Sequence, residues 1–325
     1  MNKNVIYTID CVFEDEWHRK KIAKEKLLKD RKNMSDEHVS SMFDWPWFSD
    51  EHETWSHITK HQIKKYCEKV NADLVVLNSQ DAFTLDLPDT WTVYQRANLL
   101  KFHALIEFSK SKYEKFLCLD LDILIDQSAP SIFDEYKDGF RMYADGNPTF
   151  QKTEPIKLKK HFNIDSKFIP LKEVAEATRE NKLKYFQENT LYNGGVIFCD
   201  ISTAKKFCSV VPQNNEWKGF LTKHKLESNP FFEGLDQIND QDFIQVFLRW
   251  SKINPMPLNA SWNSGLLPRR DLFTQEPAAQ YFIHLCGSMG NDNPRKLLPF
   301  LSSKNSVNKL LVFSDLIRDN KLEIL

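Results

Sequence analysis

Phe116-Leu117-Cys118-Leu119-Asp120-Leu121-Asp122-Ile123-Leu124-Ile125 runs from four apolar residues through two carboxylates into a second apolar run. Four consecutive residues of this kind fit a strand covered on both faces, as in a sheet between helices. In open α/β sheets, ligands bind beyond the carboxyl ends of the strands. Asp120 and Asp122 fall at such an end. Carboxylates at i and i+2 can face one point, and with a diphosphate they hold a hard divalent cation. An EF-hand loop would need an oxygen ligand at Leu124 and a glycine at Ile125, and the sequence has neither.

Working outward, the flanking segments alternate between strand and helix. Val5 to Ile9 is a β-branched strand ending at Asp10. Residues 58–70 have helical spacing, and 74–77 form a short buried strand. Residues 94–110 are the clearest amphipathic helix, through Ala97, Leu100, Ala104, Leu105 and Phe108. Downstream, a helix is expected at 131–136 and strands at 140–144 and 192–198. Helices follow at 201–210 and 236–250, with short strands at 255–258 and 281–285. This alternation predicts an α/β fold with a mixed, mostly parallel sheet flanked by helices.

Three stretches stand apart. Residues 14–33 are densely charged and read as a helical excursion. Residues 42–55 carry Trp45, Trp47, Phe48 and Trp55 around Pro46, which fits either a loop folded onto the domain or an aromatic platform for a sugar ring. Residues 145–189 are lysine-rich and polar, with Pro148, Pro155 and Pro170, and read as an insertion with one helix near 171–186.

Composition narrows the function classes. The 325 residues carry 44 Lys and Arg against 45 Asp and Glu, a formal charge of −1. That balance excludes coating nucleic acid or an anionic membrane as the main role. Only nine glycines are present, the first at Gly139, where an ordinary chain has roughly 7%. Folds that grip phosphate with a glycine-rich loop after the first strand are therefore excluded, as are pyrophosphorylases with an N-terminal glycine-rich loop. The six cysteines form no C-x-x-C pair and sit mostly in apolar runs, as expected of reduced, buried thiols in an intracellular protein. No run approaches the roughly 18 apolar residues of a membrane span. The first 15 residues lack a signal-peptide layout. The expectation is a cytoplasmic protein with at most peripheral membrane contact, through the amphipathic tail from residue 305.

Six motifs occur in order over residues 5 to 287. Val5 through Asp10 to Phe13 fits V-x-x-x-x-D-x-x-Y, with phenylalanine for tyrosine. Tyr94-Gln-Arg96 fits Y-x-R, with Lys101 following. Tyr113 to Ile125 fits Y-D-K-V-L-Y-L-D-x-D-x-L-V. Asn193-Gly194-Gly195-Val196 fits N-x-G-V, Asp240-Gln241-Asp242 fits D-Q-D, and His284-Leu-Cys-Gly287 fits H-x-x-G. With these motifs the chain resembles the GT-A glycosyltransferases, most closely the retaining family eight, which includes bacterial lipopolysaccharide galactosyltransferases and glycogenin. The resemblance implies a Rossmann-like nucleotide-diphospho-sugar transferase fold over 1–287, with insertions near 14–55 and 145–190 and a helical tail over 288–325.

The resemblance also assigns roles. It implies a metal site of Asp120, Asp122 and His284, an O,O,N set suited to Mn²⁺ or Mg²⁺. It implies a donor site of Thr8, Asp10, Phe13, Arg96, Lys101, Asn193, Gly194, Gly195 and Gly287. Asp240 and Gln241 would lie on the reacting face of the sugar. By their own chemistry, Asp10 suits hydrogen bonds from a base or ribose, and Arg96 suits diphosphate oxygens. Each also has a plainer role: a turn aspartate, a helix-surface charge, a tight turn at Asn193, a structural histidine at 284, or Asp240 as a helix cap. The implied donor is a UDP-sugar, and the acceptor a glycan, lipid-linked or protein hydroxyl, with no nucleic acid partner. Glutamine is a poor nucleophile, so a front-face displacement with retention is expected. The alternatives are an inverting transferase with Asp236, Asp240 or Asp242 as base, and a non-catalytic sugar- or nucleotide-binding module. Where the family continues with a diphosphate-binding lysine, this chain has Gly290, and only a longer loop would return Arg295 or Lys296 to that place.

Overall fold

A computed structural model of the chain describes residues 2–11, 52–126, 128–144, 148–166, 190–227, 238–264 and 279–284. The expected elements within these ranges form, together with helices at 79–83, 148–162 and 217–223 and a strand at 123–125 that the sequence did not single out. They are β1 (Asn4–Asp10), α1 (His52–Val70), β2 (Ala72–Asn78), α2 (Ser79–Phe83), α3 (Val93–Ser109), β3 (Lys115–Leu119) and β4 (Ile123–Ile125). After them come α4 (Ile132–Glu135), β5 (Phe140–Ala144), α5 (Pro148–Phe162), β6 (Tyr192–Asp200) and α6 (Ile201–Cys208). The last are α7 (Trp217–Lys223), α8 (Asp240–Trp250), β7 (Met256–Pro257) and β8 (Phe282–His284).

Six strands form one sheet in the order β2-β1-β3-β6-β5-β7, and β4 pairs with β8 separately. The pairs β1/β2, β1/β3 and β5/β7 are parallel, while β3/β6 and β5/β6 are antiparallel. The expected mixed α/β sheet is therefore present. Its apolar strands divide their side chains by alternation. Phe116 and Cys118 of β3 join the core under α3, α6, α7 and α8, while Leu117 and Leu119 join the core with Ile63, Tyr66 and Cys67 of α1. Val5 and Tyr7 of β1 go to the first side and Ile6 to the second. Both faces are covered, which is why these strands read as continuous apolar runs. The five cysteines within the described residues are free and buried, as expected. No helix among the described residues is long and apolar enough to cross a membrane.

One of the unexpected elements runs against its own sequence signal. The stretch with Pro148 and Pro155 forms α5, with Pro155 inside the helix. An interior proline costs a helix about 3 kcal/mol. Leu158 and Phe162 of α5 are buried in the main core, and each buried side chain of this size returns about 1.5–3 kcal/mol. Tertiary burial outweighs the local penalty. The helices expected at 14–33 and 171–186, the aromatic side chains of 42–55 and the tail from 288 lie outside the described residues.

Candidate active site

β3 delivers Asp120 to the carboxyl edge of the sheet, where its amide donates to Gly195 O of β6 at 2.9 Å. The chain turns through Leu121 and Asp122 into β4, and the β4/β8 pairing sets His284 opposite Ile123. Strand register thus brings together residues 162 positions apart in sequence (122 and 284). One ligand atom from each of Asp120, Asp122 and His284 lies within 4.8 Å of the others.

The orientation of His284 follows from its neighbours. Asn193 Oδ1 accepts from Gly195 N at 2.9 Å and from Asn263 Nδ2 at 2.9 Å. Asn263 therefore turns its Oδ1 to His284 Nδ1, 2.9 Å away, and Nδ1 is the donor. Nε2 then carries the lone pair and faces Asp122 Oδ1 at 3.3 Å. That oxygen is buried and has no hydrogen-bond partner among the described residues. Two facing acceptors need a cation or a proton between them. With Asp120 at the open edge, the donor set is two carboxylate oxygens and one imidazole nitrogen, which fits a metal of the Mn²⁺ or Mg²⁺ class. Gly195 leaves room for this ring. A Cβ there would lie 2.7 Å from Nδ1 and 2.8 Å from Nε2 of His284.

Beside the carboxylates is a cleft of about 190 Å³, lined among others by Ile9, Cys11, Tyr94, Asn98, Lys101, Asp120, Asp122 and Asp240. Lys101 is its pivot. It projects from α3, is 5% exposed, reaches Asp120 Oδ1 at 3.1 Å and forms an ion pair with Asp240 Oδ2. Burial alone would lower the lysine pKa. The Asp120 and Asp240 carboxylates oppose that and hold it well above the usual value, so the ammonium persists. Burial pushes the Asp120 carboxyl up, Lys101 pulls it down, and the nearby Asp240 and Asp122 push it up again.

Asp240 opens α8, but it is not the cap. Asn239 holds that place, accepting from Asp242 N at 3.1 Å, while Asp242 Oδ2 accepts from Asn239 N at 2.7 Å. This capping box satisfies two helix-end donors and leaves the Asp240 carboxylate for Lys101. Gly194 packs against it: a Cβ there would come within 3.3 Å of Asp240 Oδ2. Gln241 follows on the same turn and is partly exposed, but it is not among the cleft-lining residues.

Several expected site residues are placed elsewhere. Arg96 does not face the cleft. Its guanidinium donates to three carbonyls, Leu85 O at 3.1 Å, Pro88 O at 2.9 Å and Trp91 O at 3.2 Å, and lies over the Phe83 ring. The side chain closes the 85–91 loop on α3 through these three bonds. Thr8 is fully buried within β1 and is not among the residues that line the cleft. Asp10 accepts from Ser56 Oγ at 2.7 Å and is ion-paired with Lys60, both on α1. Its neighbours Ile9 and Cys11 line the cleft instead, because alternation turns them to the other face. Phe13, Gly287, Arg295 and Lys296 lie outside the described residues. Asn263 and Asn98 were not singled out from sequence. No motif marks them; Asn263 is placed by its bonds to Asn193 and His284, and Asn98 by its Oδ1, which accepts from Asp240 N at 3.4 Å.

No family model and no curated protein matches the chain. Among solved structures it is similar to the galactosyltransferase LgtC in complex with donor and acceptor sugar analogs, with 10% identity over 95% of each chain and a TM-score of 0.35. It is also similar to a glycosyltransferase involved in glycosylating the major capsid of PBCV-1, with 11% identity over 96% of this chain and 98% of the other, and a TM-score of 0.39. Mouse xyloside xylosyltransferase 1 gives 11% identity over 86% and 97%, with a TM-score of 0.36. All three are glycosyltransferases.

Proposed function

We propose that this protein is a metal-dependent glycosyltransferase that moves a sugar from a nucleotide-diphosphate donor, a UDP-sugar by motif resemblance, to a hydroxyl acceptor with retention. One observation carries the reading. A lone-pair nitrogen, His284 Nε2, faces an orphaned Asp122 oxygen beside Asp120, at the mouth of a cleft whose buried ammonium, Lys101, joins Asp120 to Asp240. A divalent cation held by Asp120, Asp122 and His284 would supply Lewis-acid stabilisation of the departing diphosphate. Lys101 adds a fixed positive charge at the same edge, in a site already desolvated. Asp240 and Gln241 are assigned to the reacting face of the sugar. Asp240 is paired with Lys101 and so is poorly suited as a general base, which favours retention over the inverting alternative.

The test is turnover of a panel of nucleotide-sugars with and without Mn²⁺, followed by NMR of fresh product from an α-linked donor. The expected result is metal-dependent release of UDP and an α-anomeric coupling constant. Metal-independent release, or no release from any donor, would refute the reading. A β-linked product would transfer the reaction to an inverting carboxylate base.

A further inference from the structure

Beneath the first turn of α8 lies a second buried charge cluster, apart from the cleft. Lys157 of α5 reaches Glu154 Oε1 at 3.0 Å and Asp242 Oδ2 at 3.3 Å. Glu154 is 2% exposed and Asp242 is fully buried. Burial pushes the Glu154 carboxyl up, and Lys157 pulls it back. Three desolvated charges in one place are costly, and such a cluster holds only while every partner stays in position. Its location makes that geometry consequential. Asp242 Oδ2 is also the atom that accepts the Asn239 amide and closes the capping box of α8. Two residues before Asp242, Asp240 pairs with Lys101. One carboxylate oxygen thus links the α5 lysine to the turn that carries Asp240.

We propose that Lys157 is a positioning residue: acting through Asp242, it holds the first turn of α8 so that Asp240 stays against Lys101. This rests on reading the cleft as a site of glycosyl transfer. It also gives the 145–190 stretch, expected as an insertion, a part in ordering the reaction centre through α5. The lysine is 8% exposed in its side chain and sits on the apolar side of a proline-containing helix, where an ordinary solvated lysine does not belong.

The experiment uses three forms of the full chain: native, Lys157→Met and Lys157→Met/Asp242→Asn. The single variant leaves two buried carboxylates without their cation and is expected to lose stability. The double variant removes one of those charges, leaves only a neutral and weaker acceptor for the Asn239 amide, and is expected to regain much of the lost stability. In both, the amides of Asn239 and Asp242 should exchange with solvent about tenfold faster, while the amides of Val246 to Leu248 stay protected. Donor turnover should show kcat lowered about 10- to 100-fold in both variants with KM for the donor nearly unchanged, as expected of a misplaced group. If kcat returns with stability in the double variant, Lys157 is merely structural and the proposal fails. Unchanged exchange at Asn239 and Asp242 would also overturn it. Exchange is read without any substrate, so a native protein that turns over no donor would refute the cleft reading while leaving the Lys157 pin decided.

Discussion

Arg96 and Lys101 are two buried cations on one helix, five residues apart, and they serve opposite ends. Arg96 is 4% exposed and Lys101 5%. The guanidinium is used on backbone carbonyls at the start of α3, and the ammonium on carboxylates at the cleft. By side-chain chemistry alone the arginine is the better diphosphate ligand, since its fork matches phosphate oxygens. The capping box explains the reversal. Thr92 and Gln95 bond each other's amides, and the next residue, Arg96, lies beside a loop whose carbonyls need donors. Lys101 lies more than one turn further on, where α3 passes over the end of β3. Which cation faces the cleft is set by what surrounds each one.

Substitutions can break this comparison. Lys101→Met removes the ammonium between Asp120 and Asp240, and turnover should fall about 100-fold as the preorganised charge is lost. Steady-state kinetics at saturating Mn²⁺ checks this, and activity within about threefold of native would show that the ammonium is not part of the site. Gly195→Ala drives a methyl into the His284 ring, and Mn²⁺ affinity should weaken about 10- to 100-fold through a displaced ligand. Calorimetric titration of the metal reads it directly, and unaltered affinity would dissociate His284 from the metal. Arg96→Met should leave KM for the donor within about twofold but cost about 2–4 kcal/mol of stability, since three carbonyls lose a charged donor. A donor KM raised tenfold or more, with stability unchanged, would return Arg96 to the diphosphate.

The sheet was legible because its strands are apolar, short and separated by helices of clear period. Phe116 to Leu119 identifies a buried strand by composition alone, and Asp120 and Asp122 mark its open end. The grouping of Asp120, Asp122 and His284 was suggested by motif order, although nothing local links His284 to Asp122. The β4/β8 register does that, and register depends on tertiary structure. The placement of Arg96 is not legible in the sequence because its partners are backbone carbonyls, which carry no residue signature. The burial of Thr8 is not legible either, because a strand position near a motif aspartate can still face the interior. Asn263 escaped notice for a related reason: its function is to hold a tautomer, and that requires seeing Asn193 and His284 on either side of it. Helix α5 was hidden by Pro155, whose local signal is opposite to the element it joins.

Binding of Mn²⁺ to the protein with a nucleoside diphosphate present, followed by electron paramagnetic resonance, tests the central claim most directly. One ion per chain should bind in the native protein and be lost in Asp122→Asn, which keeps the size of the side chain but removes the charge facing His284 Nε2. An absence of Mn²⁺ binding in the native protein, or equal binding in Asp122→Asn, would contradict the assignment of Asp120, Asp122 and His284 as a metal site.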